Sequence, residues 1–183
     1  TERHGYDPTL YYLENLGLHP GKVGAIAEEL ADFWEVTYYH RELRPGVQQT
    51  LEALRQRGYK LGVISNTASL YSVFNVLEHY GIRDYFQDVT LSSVTGYRKP
   101  HHGIFEISLR QLQAKPENCI YVGDTRSRDI RGAKQAGFGM AVQIRSALTD
   151  QKDAATDPMW QPDAVITRIP DLLDVLSARE DAL

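Results

Sequence analysis

Tyr121-Val-Gly-Asp-Thr-Arg-Ser-Arg-Asp129 is the stretch that decides the fold. It reads as a short apolar strand ending in a glycine turn that carries two carboxylates, Asp124 and Asp129. An amphipathic helix follows at once, with Ile130, Ala133 and Ala136 on one face and Gly137 at its end. Taken singly, Asp124 reads as a helix cap and Asp129 as a first-turn acid favoured by the helix dipole. Held together at the carboxyl end of a strand, the pair offers what a hard cation such as Mg²⁺ takes: oxygen ligands that leave room for several waters.

Two companions lie upstream. Leu61-Gly-Val-Ile64 is an apolar run too short and too β-branched for a helix, and Ser65-Asn66 follow it. A hydroxyl and backbone N–H groups at that place can hold a phosphoryl oxygen; the same residues also suit the cap of a helix beginning near Ala68. The second companion is Gly96-Tyr-Arg-Lys99-Pro100. A lysine held by the following proline can set one positive charge beside a phosphate, although Lys-Pro by itself is a common surface turn. His101 and His102 next door are adjacent, so their side chains are expected to diverge and to chelate poorly.

From Pro45 onward, strands and helices alternate. Pro45 suits the first turn of a helix whose face is Val47, Leu51 and Leu54. Further helices are expected at Val73–Tyr80, at Phe105–Leu112 and around Leu172–Leu176. Strands are expected at Asp88–Leu91, Cys119–Val122, Met140–Ile144 and Asp163–Ile166. Alternation of this kind implies a mostly parallel sheet covered on both faces, with ligands at the carboxyl ends of its strands. Ser65, Lys99 and Asp124 all fall there.

Residues 1–44 carry no strand signal and read as a helical unit attached to the α/β body. Leu10, Leu13 and Leu16 suggest one short helix, and Val23, Ile26, Ala27, Leu30 and Trp34 a longer one. Asp7-Pro8 reads as a helix start. Residues 45–183 then form the α/β core, with residues 145–162 as a polar connection longer than usual.

The 183 residues suffice for one domain with a real core, or a domain plus a small subdomain. The balance of 20 basic against 24 acidic side chains includes no basic cluster, which argues against nucleic acid as a partner. The apolar runs are strand-sized, so no membrane span or signal peptide is expected. Cys119 is the lone cysteine; it fits a reducing cytoplasm and reads as a buried packing residue.

The three motifs, in this order, resemble the haloacid dehalogenase superfamily, most of whose members are Mg²⁺-dependent phosphatases, and within it the capped branch of phosphoglycolate phosphatase and β-phosphoglucomutase. The resemblance covers residues 45–144 well and 163–178 loosely. It implies a three-layer Rossmann-like sheet, with residues 1–44 as a partial helical cap. Asp124 and Asp129 would serve Mg²⁺, Ser65 and Asn66 the phosphate of a small phosphorylated substrate, and Lys99 the charge of phosphate and nucleophile. Tyr11, Trp34 and Tyr38 would help shape the substrate pocket.

In that superfamily an aspartate at the end of the first strand attacks phosphorus, and a second aspartate two residues on works as acid and base. Nothing here matches. Asp7-Pro-Thr9-Leu10 echoes half of the pattern, but Gly5 stands where the nucleophile would be. That first strand lies in the middle of the sheet, and a gap there would leave buried backbone groups unpaired at about 1–3 kcal/mol each. An N-terminal segment carrying the nucleophile is therefore expected in the whole protein. A 2-haloacid dehalogenase shares Ser-Asn and Lys but does not keep the carboxylate pair in this form; a phosphomutase or phosphonate hydrolase shares all the residues. A non-catalytic binding protein of the same fold has the absent nucleophile as its support and the intact charge cluster against it.

Overall fold

The computed structural model describes residues 15–38, 41–146 and 159–180. Five short parallel strands lie in two sheets. Strand β1 (Gly62–Ser65) pairs with β2 (Asp88–Leu91), with Gly62 opposite Asp88 and Ser65 opposite Leu91. Strand β4 (Met140–Ile144) is flanked by β3 (Ile120–Gly123) and β5 (Ala164–Ile166). Among the described residues β1 and β3 are edges, each paired on one side only.

The period of two along a strand divides the core into layers. On β4, Val142 and Ile144 face one way, packing with Leu54, Ile166, Leu172 and Leu176. These bring in the helices Val47–Gln56 and Asp171–Glu180. Ala141 faces the other way, into Ile104, Phe105, Tyr121, Ile130 and Ala133, which brings in the helices His102–Leu112 and Arg131–Gln135. A third cluster, Leu51, Leu77 and Ile82, packs beside Val63 and Val89 of the smaller sheet. The result is the three-layer α/β architecture that the alternating elements imply.

Several boundaries differ from the sequence reading. Pro45 precedes its helix rather than opening it: Gly46, at φ +80°, is the cap and Val47 the first helical residue. The helix expected near Ala68 starts only at Ser72, because Thr67, Ser69 and Ser72 first tie the chain into a hydrogen-bonded loop. The long helix around Val23–Trp34 is two, Pro20–Gly24 and Ala27–Tyr38. Of the expected Leu10–Leu16 helix only Asn15 and Leu16 are described, both helical. Asp7-Pro8, Tyr11 and most of the 145–162 connection lie outside the described residues. No helix among the described residues is long and apolar enough to cross a membrane.

The Ala27–Tyr38 helix meets the body through two carboxylates, two turns apart. Glu35 accepts from the Thr67 hydroxyl at 2.6 Å, from the Ala68 N–H at 3.1 Å and from the Arg41 guanidinium. Glu28 accepts from the Ser69 hydroxyl at 2.6 Å and the Leu70 N–H at 2.9 Å. Charges on an amphipathic helix usually face water, yet Glu35 is only 5% exposed.

Candidate active site

Gly123 ends β3, and the next six residues fold back onto it. The carbonyl of Thr125 accepts from the N–H of Asp129 at 2.9 Å and from that of Ile130 at 3.2 Å, so Arg126–Ile130 winds as a π-helical turn. The sequence reading expects ordinary helix here. The wider turn carries one extra residue and returns the Asp129 side chain to the strand end. Gly123 is what makes room: a Cβ on it would overlap Asp129 Cβ. Gly123→Ala should therefore displace Asp129 and lower stability by about 1–3 kcal/mol, read as an earlier urea midpoint at unchanged slope.

Asp129 is 3% exposed, and both of its oxygens are engaged. Oδ1 accepts from Lys99 Nζ at 2.8 Å and the Tyr121 hydroxyl at 3.0 Å. Oδ2 accepts from the Thr125 N–H at 3.0 Å and hydroxyl at 2.6 Å. Burial alone would raise its pKa, but the Lys99 charge and the Thr125 hydrogen bonds outweigh burial and hold it well below the usual carboxylate range. Burial likewise disfavours the Lys99 ammonium, yet Tyr121 and Asp129 outweigh it and hold its pKa above the ordinary lysine value. At neutral pH the phenol is uncharged, so Asp129 is the effective counter-ion.

Asp124 is half-buried. Its pKa is raised, first by burial and then by the charge of Asp129 and a hydrogen bond with it, while Arg128 and Lys99 pull the other way. The turn thus holds two unlike carboxylates: Asp129 ionised and saturated by protein donors, Asp124 more open and reluctant to ionise beside it. The reluctance would be relieved by a divalent cation.

Lys99 reaches this point from the loop after β2. Its backbone is gripped by the Asn66 side-chain amide: Lys99 N–H donates to Asn66 Oδ1 at 2.8 Å, and Asn66 Nδ2 donates to the Lys99 carbonyl at 3.2 Å. The ammonium also donates to the carbonyl of Ile64 on β1 at 2.9 Å and to the Tyr121 hydroxyl at 3.1 Å. One side chain therefore touches β1 through a backbone carbonyl and β3 through the Tyr121 side chain. Ser65 ends β1 one residue beyond that carbonyl and is half-buried.

All five sequence-derived site residues lie at this end of the sheets, and the Asn66 side-chain amide, to which the sequence reading gives no role, holds the Lys99 backbone. Tyr121 and Thr125 are additions. Thr125 was legible as a hydroxyl beside Asp124; the role of Tyr121 depends on a lysine 22 residues away. The expected divergence of His101 and His102 is corrected: their rings stack at 4.6 Å, and His101 Nδ1 accepts from the Gly103 N–H at 3.0 Å, capping the next helix. Trp34 is half-buried on the Ala27–Tyr38 helix. Cys119 is half-buried ahead of β3, and its thiol donates to the Lys115 carbonyl.

The geometry is thus a parallel α/β body, helices on both faces of its sheets, with a lysine and two acidic residues at the carboxyl ends of its strands. The chain belongs to the haloacid dehalogenase-like hydrolase family, whose pattern matches residues 10–137. It is 32% identical to a glyceraldehyde 3-phosphate phosphatase of Methanopyrus kandleri over 164 residues, covering 90% of this chain and 69% of that protein. It is 35% identical to the enzyme of the same name from Methanothermobacter thermautotrophicus over 132 residues, 72% of this chain and 58% of that protein. The chain thus spans only part of the length of these curated relatives. The fold is similar to that of a β-phosphoglucomutase from Clostridium difficile, with a TM-score of 0.69 at 21% identity, covering 97% of this chain and 78% of that one.

Proposed function

We propose that the whole protein is a Mg²⁺-dependent phosphatase that hydrolyses a small phosphorylated metabolite through an aspartyl-phosphate. The observation that carries this reading is the buried Lys99–Asp129 ion pair set beside the half-open Asp124. Groups so perturbed, gathered at the carboxyl ends of parallel strands, are the mark of a site built for charge chemistry. The names of the curated relatives support a phosphorylated small molecule as substrate.

Among the described residues no three His, Cys, Asp or Glu side chains gather as a metal cage. Two carboxylates nevertheless fit Mg²⁺, which is commonly held by one or two of them together with substrate phosphate and water. Asp124 would hold the ion directly, and Asp129 would keep negative charge behind it. When bound, Mg²⁺ neutralises phosphate charge and orients the group for in-line displacement.

The protein's own residues would do the rest. The Ser65 hydroxyl and the backbone N–H groups of Ser65 and Asn66 hold phosphoryl oxygens, while the Asn66 side chain keeps Lys99 in place. Lys99 faces the charge shared by phosphate and nucleophile, which is where phosphoryl transfer needs it. The nucleophile would be a carboxylate on a strand seated between β1 and β3, near the ammonium of Lys99, which contacts Ile64 of the one and the Tyr121 hydroxyl of the other. Its oxygen attacks phosphorus, the ester P–O bond breaks, and the leaving alkoxide takes its proton from the second aspartate expected two residues beyond the nucleophile, which recovers it from the water of the next step. Water then cleaves the acyl phosphate to release inorganic phosphate and regenerate the carboxylate. The carboxylate pair favours this chemistry over dehalogenation, which needs no metal. The lone cysteine is in keeping with a cytoplasmic setting.

The test is phosphate release from a panel of phosphorylated sugars and hydroxy acids, with Mg²⁺ and with a chelator, alongside chloride release from 2-chloroacids. The reading requires phosphate release that the chelator stops. Chloride release would move the assignment to a dehalogenase. Neither product, from the whole protein, would point to a non-catalytic binding role.

A further inference from the structure

We propose that Tyr121 is a positioning residue whose hydroxyl, set between the Lys99 ammonium and the Asp129 carboxylate, fixes the direction in which Lys99 presents its charge. The proposal rests on the role given to Lys99 above, but it is argued from geometry alone.

An ammonium has three N–H donors and no acceptor. Lys99 Nζ has three acceptors within reach, each from a different segment: the Ile64 carbonyl at 2.9 Å, the Tyr121 hydroxyl at 3.1 Å and Asp129 Oδ1 at 2.8 Å. Without the hydroxyl, one donor would lose its partner, and the flexible lysine stem could swing the ammonium further onto Asp129. The hydroxyl prevents this because its own direction is forced. Lysine can only donate to it, so the phenol oxygen accepts there and its single proton goes to Asp129 Oδ1 at 3.0 Å.

The ring is also held by its neighbours in the core. Tyr121 packs edge-on against Phe105 at 5.2 Å and Phe138 at 5.7 Å, and it is 8% exposed. A phenylalanine would serve that packing equally well. The hydroxyl is therefore explained by the ion pair and not by the core, and Tyr121→Phe separates the two roles.

The experiment compares wild type with Tyr121→Phe in the whole protein. The first readout is Mg²⁺-dependent hydrolysis of a phosphate ester. The second is the proton exchange of the ¹⁵N-labelled Lys99 ammonium, assigned as the signal lost in Lys99→Arg. The expected result is a kcat lower by about tenfold at nearly unchanged KM, with faster ammonium exchange. The proposal is overturned if kcat is unchanged, or if the Lys99 signal is unchanged. If wild type hydrolyses no ester, the phosphatase reading fails instead. The ammonium signal then decides on Tyr121 by itself, faster exchange in Tyr121→Phe upholding the proposal and unchanged exchange overturning it.

Discussion

Asp124→Asn should lower turnover by at least about a hundredfold, since even groups that only support a metal ligand are worth ten- to a hundredfold, and it should make the metal-free protein more stable. The second effect follows from the charges. Asp124 ionises reluctantly because it is partly buried beside the ionised Asp129. A group whose folded pKa is raised opposes folding when it is charged, and the opposition is relieved as pH falls through that pKa. An asparagine removes the like charge and keeps the shape. A gain of about 1 kcal/mol at pH 7, or about 2–4 °C in Tm, is expected, and it should shrink towards acid pH. Added Mg²⁺ should raise the Tm of wild type by mass action and leave Asp124→Asn unmoved. A wild-type Mg²⁺ response that survives the substitution would remove Asp124 from the metal site.

Lys99→Met should be the most damaging single change. It leaves Asp129 buried and without its counter-ion, a situation that costs about 3–5 kcal/mol. Adding Asp129→Asn to it should recover much of that loss, because the uncompensated charge is then gone. The pH dependence has a definite sign. The folded pKa of Asp129 lies below its unfolded value of about 3.9, so its stabilisation is whole above that pH and fades as pH falls further. The folded pKa of Lys99 lies above its unfolded value of about 10.4, so its stabilisation is whole below that pH and fades above it. The pair therefore supports the fold between about pH 4 and pH 10. In Lys99→Met, burial outweighs the remaining hydrogen bonds of Asp129, and mild acid should stabilise the variant where it does not help wild type. Urea midpoints across pH check this directly. Equal acid sensitivity in the two proteins would mean that Asp129 does not depend on Lys99.

Much of this was legible in the chain, and the gaps have physical causes. The strands Asp88–Leu91 and Met140–Ile144 stand where apolar, β-branched runs between turn residues put them. Ser65, Lys99, Asp124 and Asp129 were recognisable by their order and spacing, and the structure sets them at one end of the sheets. What escaped was long-range. Asn66 reads as a cap or phosphate contact; nothing local says that its amide grips Lys99 33 residues away. The period of 3.6 continues through Arg126–Ile130 on paper, yet the Asp129 carboxylate bonds back to Thr125 and the turn widens to a π-helix. Glu28 and Glu35 carry no local sign of their contacts, because their partners, Thr67 to Leu70, belong to another part of the chain.

Those two glutamates have a consequence for how the molecule opens. They stand seven residues apart on one rigid helix, and each holds its own stretch of a single short loop. The helix cannot lift one carboxylate without straining the other. Its separation from the loop is therefore a single cooperative event rather than a gradual fraying. The amide protons of Ala68 and Leu70, shielded by different glutamates, should then exchange with solvent at one common rate, set by the opening of the helix and not by either bond alone.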